Sequence, residues 1–488
     1  MRNTMTDDKP SSKQRVIIAS NRLPLSIDKY DGNYRVTPSS GGLVTALRGL
    51  SVANYLWLGW PGIEIGETER EEVYAVLAKE NAAAVYLSDE MAQNHYNGFS
   101  NEILWPILHY QSGAHMNFEA WTAYQQVNEV FADRISEEAK DGDLIWIHDY
   151  HLLLLPSMLR ERLKSQNKCC PIGFFLHTPF PVDDFWRGLP VQGDLLRGVL
   201  GSDIIGFHTD EYMKNFIGAC KTLIGADVME HSVQYDNHTV RLDKYFVGID
   251  PQKFSDALND QAIISRTQEL ESLYKGKTII IGVDRLDYTK GLPEKFLGFQ
   301  VFLDEHPEWA EKIVLVQIVI PSREDVARYK DLKDEISKLA GQIIGKYVGM
   351  YTDRLATPHS TPLLYIHRSV SFEELIALYS ISDVCLISSH RDGLNLVASE
   401  YVSCQEKRHG VLVLSEFTGA ATFMKGGSLL INPSDTRTIS HMLYKALTME
   451  NEERKANYEE LRDFVNTHTS VKWTETFLNE LYQLGNSN

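Results

Sequence analysis

Short apolar runs alternate with longer amphipathic stretches along most of the chain. VIIAS (16–20), LIWIH (144–148), IGFFLH (172–177) and IIGFH (204–208) have the unbroken apolar character of buried strands. TIIIGVD (278–284), KIVLVQIVIP (312–321), VCLISS (384–389) and VLVLSE (411–416) repeat the rhythm in the second half. Between them, FEAWTAYQQVNEVFADRISEEA (118–139), VARYKDLKDEISKLAG (326–341) and SFEELIALYSIS (371–382) carry helical periodicity. Strands apolar on both faces and separated by helices indicate parallel sheets covered on both sides. The pattern predicts an α/β chain with one such sheet in each half.

Four segments follow from this pattern. Residues 1–14 form a polar tail, 15–247 a first Rossmann-like domain, 248–460 a second, and 461–488 a helical segment. The seam falls near VGIDPQKF (247–254). The amphipathic WTETFLNELYQL (473–484) is expected to pack as a helix crossing back onto the first domain. NRLPLSID is expected to be a loop containing a proline, and SSGGL (39–43) precedes a helix start at VTALRGL.

The 488 residues, 43% apolar, suffice for two large cores. With 48 Lys and Arg against 66 Asp and Glu, the net charge is −18. That excess argues against broad binding of nucleic acid or an acidic membrane, but it leaves room for a local basic site. Five cysteines with neither zinc nor CxxC spacing point to buried free thiols in a reducing compartment. The polar N-terminus has no signal-peptide core, and no apolar run approaches the about 20 residues of a membrane helix. A cytoplasmic protein is the expectation.

Ligands of open α/β sheets bind beyond the carboxyl ends of the strands. Polar residues gather at those ends: Arg22, the 148–151 HDYH stretch, His177, Arg285 with Asp287 and Lys290, Arg323, and His390 to Asp392. In GVDRLDYTKG (282–291), Arg285 offers a fixed fork of donors and Lys290 a mobile point charge, a pair suited to a diphosphate. Asp284 and Asp287 are placed to orient them. The same spacing also fits an ion-pair cluster capping a turn. SSGGL offers backbone N–H groups to a phosphate, although paired glycines are also common in turns. In HRDGLNLVASEY (390–401) a helix start follows Gly393, and Glu400 lies about two turns along, where it could chelate ribose hydroxyls. Tyr96, Trp105 and Trp57 suit sugar faces or a core. There is no Walker loop, GxGxxG fingerprint, HExxH or GxSxG elbow. The DGD at 141–143 precedes a strand, at the wrong end of the sheet for a metal–nucleotide site, and reads as a turn.

Together SNRLP (20–24), SGGL (40–43), LWP (104–106), HDYHL (148–152), LHTPFP (176–181), GVDRLDYTKG, IPSRED (320–325), RDGLNLV with EY, and VLSEFTGAA (413–421) make the chain resemble the trehalose-6-phosphate synthases. The resemblance runs from about residue 15 to 480. It implies two Rossmann-like domains facing a central cleft, the GT-B type. It implies retaining transfer of glucose from UDP-glucose to glucose 6-phosphate, with no cofactor and no metal. By the same resemblance, Arg285 and Lys290 hold the UDP diphosphate, and Glu400 holds the ribose. Gly42, His177, Asp392, Asn395, Leu396 and Val397 complete the donor site. Arg22, Tyr96, Trp105, Asp149 and Arg323 form the acceptor site, with Asp149 beside the reacting centre. Asp149, Arg285 and Lys290 are then the catalytic set.

In the family the acceptor hydroxyl attacks on the front face, so no enzymic nucleophile is implied. Partners are the two substrates, with a homo-oligomer and a separate trehalose-phosphate phosphatase left open, and neither nucleic acid nor membrane. The chain lacks the DxDGT-type loop of the phosphatase module fused in some relatives. Another retaining nucleotide-sugar transferase, such as a sucrose-phosphate synthase, is the nearest enzymic alternative. A sugar-phosphate sensor without turnover is the non-enzymic one.

Overall fold

The computed structural model describes residues 14–31, 33–39, 47, 54–113, 115–323, 326–351 and 361–487. The predicted tail up to residue 13, the SGGL stretch with Gly42, and most of VTALRGL lie outside the described residues. The chain divides into two compact units, Met1–Val247 with Ser470–Asn488, and Gly248–Thr469.

The first unit carries β1 (Val16–Arg22), β2 (Leu25–Tyr30), β3 (Asn33–Pro38), β4 (Tyr55–Trp60), β5 (Ala82–Ala84) and β6 (Leu144–His148). It continues with β7 (Ile172–Phe175), β8 (Ile204–Phe207), β9 (Asp227–Met229), β10 (Ser232–Tyr235) and β11 (His238–Lys244). Nine of these form one sheet in the order β5-β4-β1-β6-β7-β8-β11-β10-β9. Its central strands pair in parallel and are buried on both faces, as their apolar runs require. The expectation of a wholly parallel sheet fails at one edge. There β9, β10 and β11 form an antiparallel meander whose short connections, such as Asp236–Asn237 at positive φ, permit tight reversal. NRLPLSID is also not a loop. β1 continues through Arg22, and β2 opens a hairpin with β3 immediately after the proline.

The helix Ser470–Ser487 belongs to this unit. Its Phe477 ring stacks on Trp146 of β6 with centroids 4.7 Å apart. The glycines of β7 and β8 make room for it, since a Cβ on Gly173 would meet Phe477 at 2.6 Å.

The second unit holds β12 (Thr278–Arg285), β13 (Ile313–Ile320), β14 (Leu363–Ile366), β15 (Val384–Ile387), β16 (Val411–Ser415) and β17 (Ser428–Ile431). All are parallel, in the order β14-β13-β12-β15-β16-β17. Helices Leu292–Glu305 and Thr436–Thr448 help bury one core around Phe296, Phe299, Phe302, Ile439 and Leu443. Both units are thus Rossmann-like. Among the described residues no helix is long and apolar enough to cross a membrane.

Candidate active site

Strand order reverses direction between β1 and β6 in the first unit and between β12 and β15 in the second. Such a reversal splays the connections to either side and opens a crevice beyond the carboxyl ends of the two strands. Arg22 and Asp149 flank the first reversal, and Arg285, Lys290 and Asp392 the second, while His177 and Arg323 follow the strands next to them.

In the first unit Arg22 ends β1, and Asp149 follows the neighbouring β6. Arg22 is exposed but crowded. Its guanidinium lies 4.8 Å from the Trp60 ring centroid. Burial lowers its pKa, and the nearby Tyr96 phenol opposes that shift. Gly62, at φ +95°, completes the seat: a Cβ there would lie 2.2 Å from Arg22 Nη2. Tyr96 sits on a π-helical segment, Asn94–Leu104, and stacks on His151 at 5.5 Å. Wide turns of this kind are rare and recur at functional sites. Trp105 follows this segment, nearly buried between His109 at 4.0 Å and Tyr150 at 5.6 Å. Trp57, by contrast, is a core residue whose indole N–H donates to Ser20 Oγ at 2.7 Å.

Asp149 has φ 74° and ψ 169°, a region nearly reserved for glycine. Its surroundings hold it there. Its N–H donates to Phe175 O at 2.8 Å, and its carboxylate accepts the His177 N–H at 3.3 Å. The next residues are clamped as well. Tyr124 Oη donates to Tyr150 O at 2.7 Å and accepts from Leu153 N, while Tyr150 Oη donates to Asn101 at 2.9 Å. The backbone cost holds a half-buried carboxylate against the His177 backbone. His177 lies beyond β7, its Nε2 3.1 Å from Nδ1 of His148. His208, after β8, is 5.5 Å from His177 by ring centroids. Burial holds His148 neutral, its pKa pushed down to about 3, and moves His177 well below its ordinary value. His148 Nδ1 thus meets His177, and His151 packs between Tyr96 and Tyr150.

In the second unit Lys290 and Asp392 meet across the β12–β15 reversal, Nζ to Oδ2 at 2.6 Å. Asn395 Nδ2 at 3.0 Å and Ser389 Oγ at 3.3 Å donate to the same oxygen. Gly291 makes the turn possible with φ +60°, and a Cβ there would strike Ser388 O at 2.1 Å. Asn395, at φ 77°, caps the helix Leu396–Ser403 by accepting Ala398 N–H at 3.3 Å. Leu396 and Val397 form its first turn, where helical N–H groups lack intrahelical partners. Burial raises the Glu400 pKa, against a hydrogen bond from Tyr379 Oη at 3.2 Å and the charge of Lys253. Arg285 is 43% exposed at the end of β12. The Arg323 side chain, beyond β13, is 4% exposed, and its backbone stands at φ 51°.

One sequence reading needs correction. Asp284 does not orient Arg285 or Lys290: it points into the core and pairs with Lys295 Nζ at 2.5 Å and Gln317 Nε2 at 2.9 Å. β12 is buried on both faces from Ile279 to Asp284, so the Asp284 side chain lies inside the unit, whereas Asp287 caps the turn after the strand. The cysteines also depart from expectation at one place, where Cys169 is exposed while the other four are buried. The DGD aspartates tie a turn: Asp143 accepts from Arg15 and Lys140 N, and Asp141 from Cys169 N.

The glycosyltransferase family 20 model matches residues 14–483. The chain belongs to glycosyltransferase family 20. Among this family 20 chain's relatives is the 56 kDa subunit of the UDP-forming α,α-trehalose-phosphate synthase of Kluyveromyces lactis. It is 46% identical over 97% of this chain and 96% of its own. The N-terminal domain of Candida albicans trehalose-6-phosphate phosphatase superposes with a TM-score of 0.87 at 31% identity, covering 98% of both chains. An Escherichia coli protein bound with UDP-2-fluoro glucose gives 0.84 at 32% identity, covering 96% of this chain and 99% of that one. The architecture of this family 20 chain is GT-B, with two Rossmann-like domains. Trp60, Gly62 and His148 are neighbours of its site residues that the motif reading left without a role, whereas Asp287 was expected to orient the cations beside it. The signal for Gly62 was present, as a WPG turn directly beyond a strand.

Proposed function

We infer that this family 20 chain transfers glucose from UDP-glucose to glucose 6-phosphate with retention, giving α,α-trehalose 6-phosphate and UDP. The observation that carries the reading is the 46% identity, over 97% of the chain, to a UDP-forming trehalose-phosphate synthase subunit. The two switch-point clusters supply chemistry that suits it.

Arg285 and Lys290 hold the donor diphosphate. Lys290 exchanges Asp392 for the diphosphate on donor binding, and Asp392, steadied by Asn395 and Ser389, turns to the glucose hydroxyls. Leu396 and Val397 offer backbone N–H groups, Glu400 takes the ribose, and Gly42 adds backbone donors. His177, kept neutral, hydrogen-bonds the donor sugar. Arg22, Tyr96, Trp105 and Arg323 receive the acceptor, with its phosphate on the arginines. Asp149 orients the acceptor at the reacting centre. The bond from glucose C1 to the β-phosphate oxygen breaks while the acceptor hydroxyl bonds C1 from the same face. The hydroxyl proton passes to the departing phosphate oxygen. Arg285 and Lys290 meet the charge that develops there, which a metal serves in other transferases. The reaction is read as metal-independent.

Purified protein given UDP-glucose and glucose 6-phosphate in EDTA is expected to release UDP and form trehalose 6-phosphate. Absence of that product overturns the reading, and dependence on added metal overturns its metal independence. A second expectation concerns the Arg22 seat. Gly62→Ala displaces the guanidinium and raises KM for glucose 6-phosphate about tenfold, the scale of one charge-assisted hydrogen bond. KM for UDP-glucose stays within about twofold, and equal changes in both constants contradict the assignment. The five free cysteines support a cytoplasmic, reducing location. Because the product leaves with its phosphate, this reading implies a separate phosphatase reaction that consumes it.

A further inference from the structure

Asp287 is wholly buried, yet both of its carboxylate oxygens are occupied by groups that belong to the site. Oδ1 accepts from the N–H of Thr289 at 3.0 Å and its hydroxyl at 2.9 Å, which fixes the turn Tyr288–Lys290 that carries Lys290. Oδ2 faces Arg323 Nη1 at 3.4 Å, Tyr329 Oη at 3.5 Å and Arg285 Nη2 at 3.9 Å. Arg323 Nη1 also donates to Tyr329 Oη at 2.5 Å. The two arginines come from the ends of adjacent parallel strands, β12 and β13, with Arg285 paired to Ile320.

A turn cap alone needs one oxygen, which Ser, Thr or Asn supplies as well as Asp. A carboxylate taken fully out of water costs several kcal/mol unless its partners are charged and well placed. Two guanidinium groups on neighbouring strand ends repel each other, more strongly where water is excluded. A common counter-ion answers both demands. Burial pushes the Asp287 carboxyl up, and Arg323, Arg285, the Thr289 N–H and Lys290 together outweigh it, so the group stays anionic below its ordinary range. Arg323 holds a left-handed backbone that is unfavourable for arginine, and the ties to Asp287 and Tyr329 help retain it.

We propose that Asp287 is a positioning residue for both substrates, aiming Arg285 at the donor diphosphate and Arg323 at the acceptor phosphate, with Tyr329 as its relay to Arg323. This rests on the roles given to the two arginines in the proposed function. One carboxylate then sets the geometry of both phosphate-binding arginines, and through the turn it also sets that of Lys290.

Asp287→Asn keeps the cap on Thr289 but places an amide opposite the arginines. It is expected to raise KM for UDP-glucose and for glucose 6-phosphate about tenfold each. Tyr329→Phe keeps the ring against Tyr288 and is expected to raise KM for glucose 6-phosphate alone. Arg323→Ala is run beside them. If it leaves KM for glucose 6-phosphate unchanged, the assignment of Arg323 falls. If it raises that KM while Asp287→Asn and Tyr329→Phe change only the melting temperature, Asp287 is structural and the proposal is overturned. Should Asp287→Asn fail to fold, the KM split of Tyr329→Phe decides the matter.

Discussion

Arg285→Ala lowers kcat by about 100-fold or more, because a donor aimed at developing charge contributes on that order. The charge in question is the additional negative charge gathering on the β-phosphate of UDP as the glycosidic bond stretches. Arg285 ends β12, so its backbone is fixed by the ladder to β13, while 43% of the side chain is exposed. Removing an exposed side chain costs little stability. A loss of turnover with an unchanged melting temperature is therefore the expected signature. Arg285→Lys retains charge without the planar fork and recovers only part of the rate. Steady-state kinetics at saturating UDP-glucose and glucose 6-phosphate measures both variants. Near-normal kcat in Arg285→Ala refutes the role.

Lys295→Ala destabilises the unit Gly248–Thr469 by about 3–5 kcal/mol, the usual cost of stranding one partner of a buried ion pair. Lys295 is 0% exposed and the Asp284 side chain 2%, with Nζ and Oδ2 2.5 Å apart. Once the ammonium is gone, Gln317 Nε2 at 2.9 Å still donates to the carboxylate, but no charged partner is left to it among the described residues. Nor can water enter easily: Gly282 is packed so tightly that a Cβ there would meet Gln317 Oε1 at 2.1 Å. A two-unit chain need not unfold in one step. The measurement is therefore amide hydrogen exchange in β12 and β13 under native conditions. Combining Lys295→Met with Asp284→Asn removes both charges and restores most of the loss. A single-variant loss below about 1 kcal/mol contradicts the account.

Much of the fold was legible because strands buried on both faces must be apolar throughout. LIWIH is β6 from end to end, and TIIIGVD misses only Arg285, the last residue of β12. Two errors have physical causes. NRLPLSID looked like a loop because a proline interrupts it, but the proline falls between two strands, where no ladder hydrogen bond is needed from it. The antiparallel meander β9–β11 is short and half exposed, so its residues lack the apolar run that marked the other strands. The aspartates of GVDRLDYTKG show the limit at the site. Both lie within two residues of Arg285 in sequence, yet Asp284 turns into the core and Asp287 toward the arginines.

The sequence by itself determined the α/β class, the two sheets and the gathering of charged residues at the carboxyl ends of their strands. It did so because periodicity and strand burial are local properties, written within a few residues. The tertiary structure decided which strand ends are neighbours, and so that Lys290 meets Asp392 across 102 residues and Arg323 meets Asp287 across 36. It also decided that Gly62 seats Arg22 and that His148 meets His177. Strand order and side-chain partners at a strand end depend on packing between distant segments, and no local spacing encodes that packing.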